Sequence, residues 1–365
     1  MISEKFDKLE PREKLKYLRD NNIEVYSISK LGTLDECYLE YKLTYIDKLQ
    51  GENNIYGFLG GRVHSILENK VNGKDINFTE QLKEDFKEAE FMGYNFPTDK
   101  MKEKWENDIL SFAKTYQVPN YKRVETEKLF VFEMDNKFIQ GIIDLLIYNE
   151  DGTVSIVDYK TSSKFSNSEL PIKGRQLILY GLAMEQQEYK IKELMWNMLK
   201  YVQISYKLKN GKIKTTVAER GYIVEKLQND ISKELKGLGY SDFEIEAMIL
   251  SGLETNSLEV FPKQIQDKYT FEDYIVKYDF SEENKIELRM FAEAKINEIE
   301  TMKDKEDYWS AKEITKWNSF YCENLCSRKK YCQAWSDYKE LQDRIKEEEE
   351  ERQFQEEFDD FAKIF

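Results

Sequence analysis

Apolar residues along this chain recur first at helical spacing, then gather into runs with strand character, then return to helical spacing. Ser29 caps a predicted helix running to Ile46, in which Leu34, Tyr38, Tyr41 and Tyr45 share a face and Cys37 lies inside. Gly57 to Leu67 predicts a glycine-bearing loop feeding another helix, and mixed-charge helical patterns fill residues 79 to 118, punctuated by Pro97 and Pro119. From about residue 124 three runs rich in Val, Ile and Phe predict strands, with turns at Asp135-Asn136 and across Asn149 to Gly152. A helix from Gly174 to Glu185 follows, then a hairpin turning at Asn210-Gly211. Residues 224 to 316 read as mostly helical, and residues 337 to 365 as a charged helix or tail.

The order helix, strand, helix predicts an α/β fold with a mixed central sheet flanked by helices. Four segments are expected: a helical region at 1–123 carrying Cys37 and His64, a core at 124–223, a helical insertion with a cysteine group at 224–336, and an acidic tail at 337–365. No solenoid-type repeat is present. At 365 residues with 41% hydrophobic residues the chain can bury a substantial core. No apolar run approaches the roughly 18 residues of a spanning helix, and the first residues lack a signal peptide's apolar stretch, which predicts a cytoplasmic protein without membrane contact.

The core carries the first chemistry. Gly141-Ile142-Ile143-Asp144 ends on one predicted strand, and Asp158-Tyr159-Lys160 ends the next. Because side chains alternate along a strand, Asp158 and Lys160 share a face and Tyr159 takes the other. Two carboxylates on neighbouring strands can hold a hard cation such as Mg²⁺ or Mn²⁺, which polarises a phosphodiester and activates water, while the lysine offsets developing charge. An Asp-x-Lys at a strand end also occurs on ordinary solvated edges, so neighbours decide its meaning. Gln176 and Tyr180, four apart, put an amide and a phenol on one helical face. His64 is the only histidine in the chain.

In order, His64, Gly141 to Asp144, Asp158-Tyr159-Lys160, and Gln176 with Tyr180 resemble the RecB-like branch of the PD-(D/E)XK nuclease superfamily, over roughly residues 25 to 205. The resemblance implies a restriction-endonuclease-like core. It implies that His64, Asp144, Asp158 and the Tyr159 carbonyl bind metal, that Lys160 is catalytic, and that Gln176 and Tyr180 contact DNA or steady the site. Glu127, on the strand before Asp144, matches a further acidic position found in some relatives.

Only four cysteines occur: Cys37 stands alone, and Cys322, Cys326 and Cys332 cluster. A reducing compartment disfavours disulfides, and four thiolates suit a tetrahedral zinc or a cubane iron–sulfur cluster. The one-plus-three arrangement resembles the iron–sulfur subgroup of RecB-like nucleases, which includes the AddB nuclease domain and CRISPR-associated RecB-like exonucleases. That resemblance implies a structural 4Fe-4S cluster joining N- and C-terminal helical segments, with zinc as the alternative. Three residues rather than the subgroup's commoner two separate Cys322 from Cys326.

Charge opposes this picture at first, because DNA binding normally rests on basic residues and the net charge here is −15. Residues 346 to 365 hold nine acidic and three basic residues, so the tail accounts for −6. The remaining body is still acidic, which calls for a local basic channel or for metal ions at the point of contact. In the tail Phe354, Phe358, Phe361 and Phe365 recur at helical spacing, a stripe that suits a protein partner, a cover for the DNA channel, or packing on the protein's own core. The combined expectation is a metal-dependent DNA exonuclease acting on single strands or exposed ends in recombination, repair or replication. Its rivals are a non-catalytic DNA-binding or assembly subunit and a CRISPR adaptation nuclease. The long stretch between Tyr180 and Cys322 favours a stand-alone or bacteriophage-type repair enzyme over the last.

Overall fold

The structure is a computed structural model that describes Phe6, residues 8–208 and residues 210–362, with side chains up to residue 356. Its elements are helix α1 (Pro11–Asp20), strand β1 (Val25–Tyr26), helices α2 (Ile28–Glu36) and α3 (Tyr38–Tyr41), a π-helical turn Lys42–Ile46, and helices α4 (Ile55–Val71), α5 (Phe78–Phe91) and α6 (Asp99–Thr115). Strands β2 (Val124–Met134), β3 (Lys137–Tyr148) and β4 (Thr153–Lys160) follow, then helix α7 (Leu170–Glu185) and strands β5 (Lys190–Lys207) and β6 (Ile213–Glu219). Helices α8 (Ile223–Gly237), α9 (Asp242–Thr255) and α10 (Lys263–Gln266), strand β7 (Tyr269–Tyr278), and helices α11 (Glu282–Met302), α12 (Ser319–Asn324) and α13 (Gln333–Ala362) complete it.

Two units divide the chain: residues 1–28 with 57–290, and residues 29–56 with 291–365. They cut across the segment limits expected at 123, 223 and 336, because strand pairing and helix contacts reach far along the sequence.

The first unit is built on a seven-stranded mixed sheet, ordered β1-β3-β4-β5-β6, with β2 added to β3 and β7 to β5. The hairpin β2–β3 turns at Asp135 and Asn136, both at positive φ (53° and 61°), as a two-residue turn matching strand twist requires. Strand β3 pairs antiparallel with β4, and β4 pairs parallel with β5, so α7 is the crossover between them. β4 is buried along its length except at its ends, as a central strand covered on both faces should be. β5 is long enough to offer one edge to β4 as far as Met198 and then to β6 from Tyr201, while β7 lies along the other edge. Beyond this junction α8 and α9 close a core of Ile204, Val224, Leu227, Ile231 and Leu235.

Four expectations are corrected. The helix expected from Ser29 to Ile46 is broken: Cys37 is extended (φ −162°, ψ 120°) between α2 and α3, so it is not inside a helix. That break frees the Leu39 N–H to donate to the Ser310 carbonyl at 3.0 Å. Ser29 lies inside α2 instead of capping it, and its carbonyl accepts from Thr33 Oγ1. Gly57 is helical, since α4 already begins at Ile55. Finally β7 occupies part of the stretch read as helical; its charged, partly exposed edge hides the alternation that marks a strand. In the tail, Phe354 is exposed on α13, whereas the side chains of Phe358 and Phe361, and Phe365 itself, lie outside the described residues.

Candidate metal centre and active site

The register Leu145↔Val157 carries β3 and β4 toward the open end of their pairing, where the next step sets Asp144 across from Asp158. There the Asp144 carboxylate stands in for a strand partner: its Oδ2 accepts the Tyr159 backbone N–H at 2.8 Å. The approach of β2 to β3 in this region depends on a missing side chain. A Cβ at Gly141 would lie 2.4 Å from Phe130 Cζ, the residue paired with it across the strands. Phe130 in turn meets the ring of Tyr180 edge-on, at 5.7 Å between centroids. The hydrophobic contact thus places α7 over the site.

Lys160 Nζ lies 2.6 Å from Asp158 Oδ2 and donates to Gln176 Oε1 at 3.1 Å, and Gln176 Nε2 donates to the Tyr180 hydroxyl at 2.7 Å. The expected face of α7 and the expected face of β4 therefore meet. Asp158 is 1% exposed, and its Oδ2 is held in a close ion pair with Lys160. Burial pushes the Asp158 carboxyl up to about 6; Lys160 pulls it down, while the nearby Asp144 charge raises it. Burial likewise raises the Tyr180 and Tyr159 phenols, so both act as hydrogen-bonding groups that keep their protons.

On α4, His64 Nδ1 sits 3.3 Å from Asp144 Oδ2, and its ring meets Tyr159 edge-on. Burial lowers the imidazole pKa, but hydrogen bonding to Asp144 and the charges of Asp144 and Asp158 outweigh it, so the net shift is upward. Close approach of α4 is helped by Gly60, where a Cβ would come within 3.3 Å of Thr161 Oγ1, just past Lys160. Glu127 completes the arrangement: one ligand atom from each of His64, Glu127 and Asp144 lies within 4.8 Å of the others. Its backbone is left-handed (φ 47°) within an otherwise regular strand, a conformation that costs a residue with a side chain about 1–2 kcal/mol. Burial and then repulsion from Asp144 raise its carboxyl pKa. A cleft of 410 Å³ opens beside these residues, lined also by Gly61, Ser65, Glu68 and Ile142. Glu68 was not singled out from the sequence; its spacing of four from His64 on one helix was the available signal.

Three clustered ligand atoms, two of them carboxylate, fit a divalent cation of the Mg²⁺ or Mn²⁺ type. Such a cation would offset the burial, and after it the mutual repulsion, that raise the Asp158 and Glu127 carboxyl pKa values.

The second unit holds the cysteines. Cys37, Cys322, Cys326 and Cys332 line one cavity together with Glu40, Lys312 and Arg328, yet no three of their sulfurs lie within 4.8 Å of one another. Burial raises the thiol pKa of Cys322 and Cys332 and pushes Cys326 up to about 12, and the proximity of Cys37 adds to each. The three C-terminal thiols are thereby held neutral.

No helix among the described residues is long and apolar enough to cross a membrane. No curated protein matches the chain. Among solved structures, that of SSO0001 aligns at 13% identity over 69% of this chain and 86% of that chain, with a TM-score of 0.24, a likeness too slight to carry an argument. The profile of the PD-(D/E)XK nuclease superfamily matches residues 25–249, a span that contains every residue of the site on β2, β3, β4, α4 and α7. With its mixed sheet, flanking helices and acidic metal site, the chain belongs to the PD-(D/E)XK nuclease superfamily of metal-dependent nucleases.

Proposed function

We propose that this protein is a deoxyribonuclease of the RecB-like branch that degrades single-stranded DNA or DNA ends as an exonuclease during recombination, repair or replication. The observation that carries the reading is the junction of Asp144, Asp158 and Lys160 at the end of β3–β4 with His64 and Glu127 facing it. His64, Asp144 and Asp158 hold the divalent cation with the Tyr159 carbonyl, and Glu127 supplements them. When bound, that cation polarises the scissile phosphate and offsets its charge. Lys160, held by Gln176, presents its ammonium to charge developing on the phosphate, and Tyr180 fixes Gln176 from behind. Gln176 and Tyr180 thus serve as positioning residues whose loss should lower the rate without abolishing cation binding.

Lys160→Ala should lower cleavage by about 10²–10³-fold with unchanged Mn²⁺ affinity. Asp158→Ala should lose both. Single- and double-stranded substrates labelled separately at each end report polarity, and circular DNA reports internal cutting. Wild-type rates retained in both variants would defeat the assignment, and efficient cutting of circles would replace exonuclease by endonuclease.

We further read the cysteine cavity as the seat of a structural 4Fe-4S cluster. In favour of it, all four cysteines line one cavity, in the one-plus-three order along the chain. Broad visible absorption and iron content decide; a colourless protein carrying zinc would establish the alternative. The acidic tail is read as a docking segment for a protein partner, and cytoplasmic residence accords with the reduced thiols this site needs. Deletion of residues 340–365 with unchanged partner capture, DNA affinity and stability would remove that role.

A further inference from the structure

Helix α7, which carries Gln176 and Tyr180, is held over the sheet by a segment remote in sequence, the end of β7 and the start of α11. Gly174 and Gly181, seven apart, share one face of α7. A Cβ at Gly174 would lie 2.2 Å from Tyr278 Cζ, and one at Gly181 2.5 Å from Phe280 Cε2, so each ring packs on bare helix backbone. Glycine inside a helix costs about 0.5–1 kcal/mol relative to alanine, and this close approach is what requires it. Two ion pairs bracket the same contact: Arg175 Nη2 lies 2.7 Å from Glu287 Oε1 near the start of α7, and Lys285 Nζ lies 2.9 Å from Glu185 Oε1 at its last residue. Tyr278 also has a neighbour on the sheet. Its ring meets that of Trp196 at 5.6 Å between centroids, and Trp196, fully buried, is the residue of β5 paired with Asp158 of β4. Tyr278 therefore stands between the backbone of α7 and the strand beside the Asp158 carboxylate. The 3.1 Å hydrogen bond from Lys160 to Gln176 spans these same two layers, so its length depends on their separation.

We propose, on the nuclease reading of this site, that Tyr278 is a positioning residue: lodged between Gly174 and Trp196, it sets the separation of α7 from the sheet and through it the hold of Gln176 on Lys160. Tyr278 touches none of the groups that face the cation, so its loss leaves cation binding in place. A shift of about 1 Å in a reacting group can lower a rate by up to about 10²-fold, so the effect of a displaced wedge falls on kcat rather than on KM.

The test uses the full chain with end-labelled single-stranded DNA and Mn²⁺, and reads kcat, KM, calorimetric Mn²⁺ affinity and, in metal-free protein, amide hydrogen exchange over residues 170–185. Tyr278→Ala should lower kcat about tenfold at unchanged KM and Mn²⁺ affinity. It should also speed exchange over α7 about tenfold without any metal present. Tyr278→Phe keeps the ring and should recover both quantities. Gly174→Ala drives a methyl group against the wedge and should lower kcat in the same way, which decides the matter if Tyr278→Ala fails to fold. Because the wedge acts through Gln176, Tyr278→Ala should add little to the kcat loss already produced by Gln176→Ala. Wild-type kcat in the folded variants, or a kcat loss of equal size with and without the Gln176 side chain, would overturn the role of Tyr278. A wild-type protein that leaves the DNA intact, or Lys160→Ala cleaving at the wild-type rate, would instead overturn the nuclease reading beneath it, and the metal-free exchange would still report whether Tyr278 fixes α7.

Discussion

At the scale of single residues, the site is a place where the fold tolerates local cost. Asp158 has a folded pKa of about 6 against an unfolded value of 3.8, so the folded state holds its proton more tightly. Stability contributed by the neutral carboxyl is present below pH 4 and is lost as pH rises through 6. In metal-free protein Asp158→Asn should remove this loss, so the gap in melting temperature between variant and wild type should widen from pH 4 to pH 7; a constant gap would contradict the burial argument. Divalent cation binding should tighten over the same interval as the proton leaves. At Glu127, substitution by glycine releases a left-handed backbone and should stabilise the metal-free protein by about 1 kcal/mol while weakening Mn²⁺ binding, measured by denaturant midpoint and calorimetry. The residues that meet at this site were largely legible in the sequence, because alternation along β4 and four-residue spacing along α7 dictate faces without knowledge of the fold. Glu127 was ambiguous for the complementary reason. Its reach toward His64 depends on a backbone angle that a pattern of apolar and polar letters does not encode.

At the scale of elements, the approach of β2 to β3 through Gly141 links the edge of the sheet to α7. Gly141→Ala drives a methyl group into Phe130 and should destabilise the fold by about 1–3 kcal/mol, with lowered activity because Tyr180 rests on the displaced ring. Adding Phe130→Leu should return part of the lost stability, and strict additivity of the two changes would argue against the contact. Strands β2 to β4 and the hairpin β5–β6 were readable because turn chemistry brackets them. β7 was not, since a strand that pairs late with a distant partner shows only its own exposed, charged edge. The break at Cys37 was equally hidden: continuous helical spacing from Leu34 to Tyr45 gives no hint that the Leu39 N–H will find a carbonyl at Ser310, more than 270 residues away.

At the scale of the whole molecule, a net charge of −15 means that DNA is drawn in against the general field. Affinity should therefore depend on the divalent cation more than on diffuse basic charge. DNA binding in chelator should fall well below that in Ca²⁺, while the salt slope with cation present should stay shallow, corresponding to few phosphate contacts. A steep slope insensitive to chelator would point to a basic channel instead. The division into units has a further consequence for biogenesis. The unit that carries the candidate site ends at residue 290, whereas the other joins residues 29–56 to a partner segment that begins at residue 291. During synthesis Cys37 leaves the ribosome almost three hundred residues ahead of Cys332, the last of the cysteines that line its cavity. A chain halted before residue 332 can hold every strand of the sheet but lacks the last of the four thiols that line one cavity.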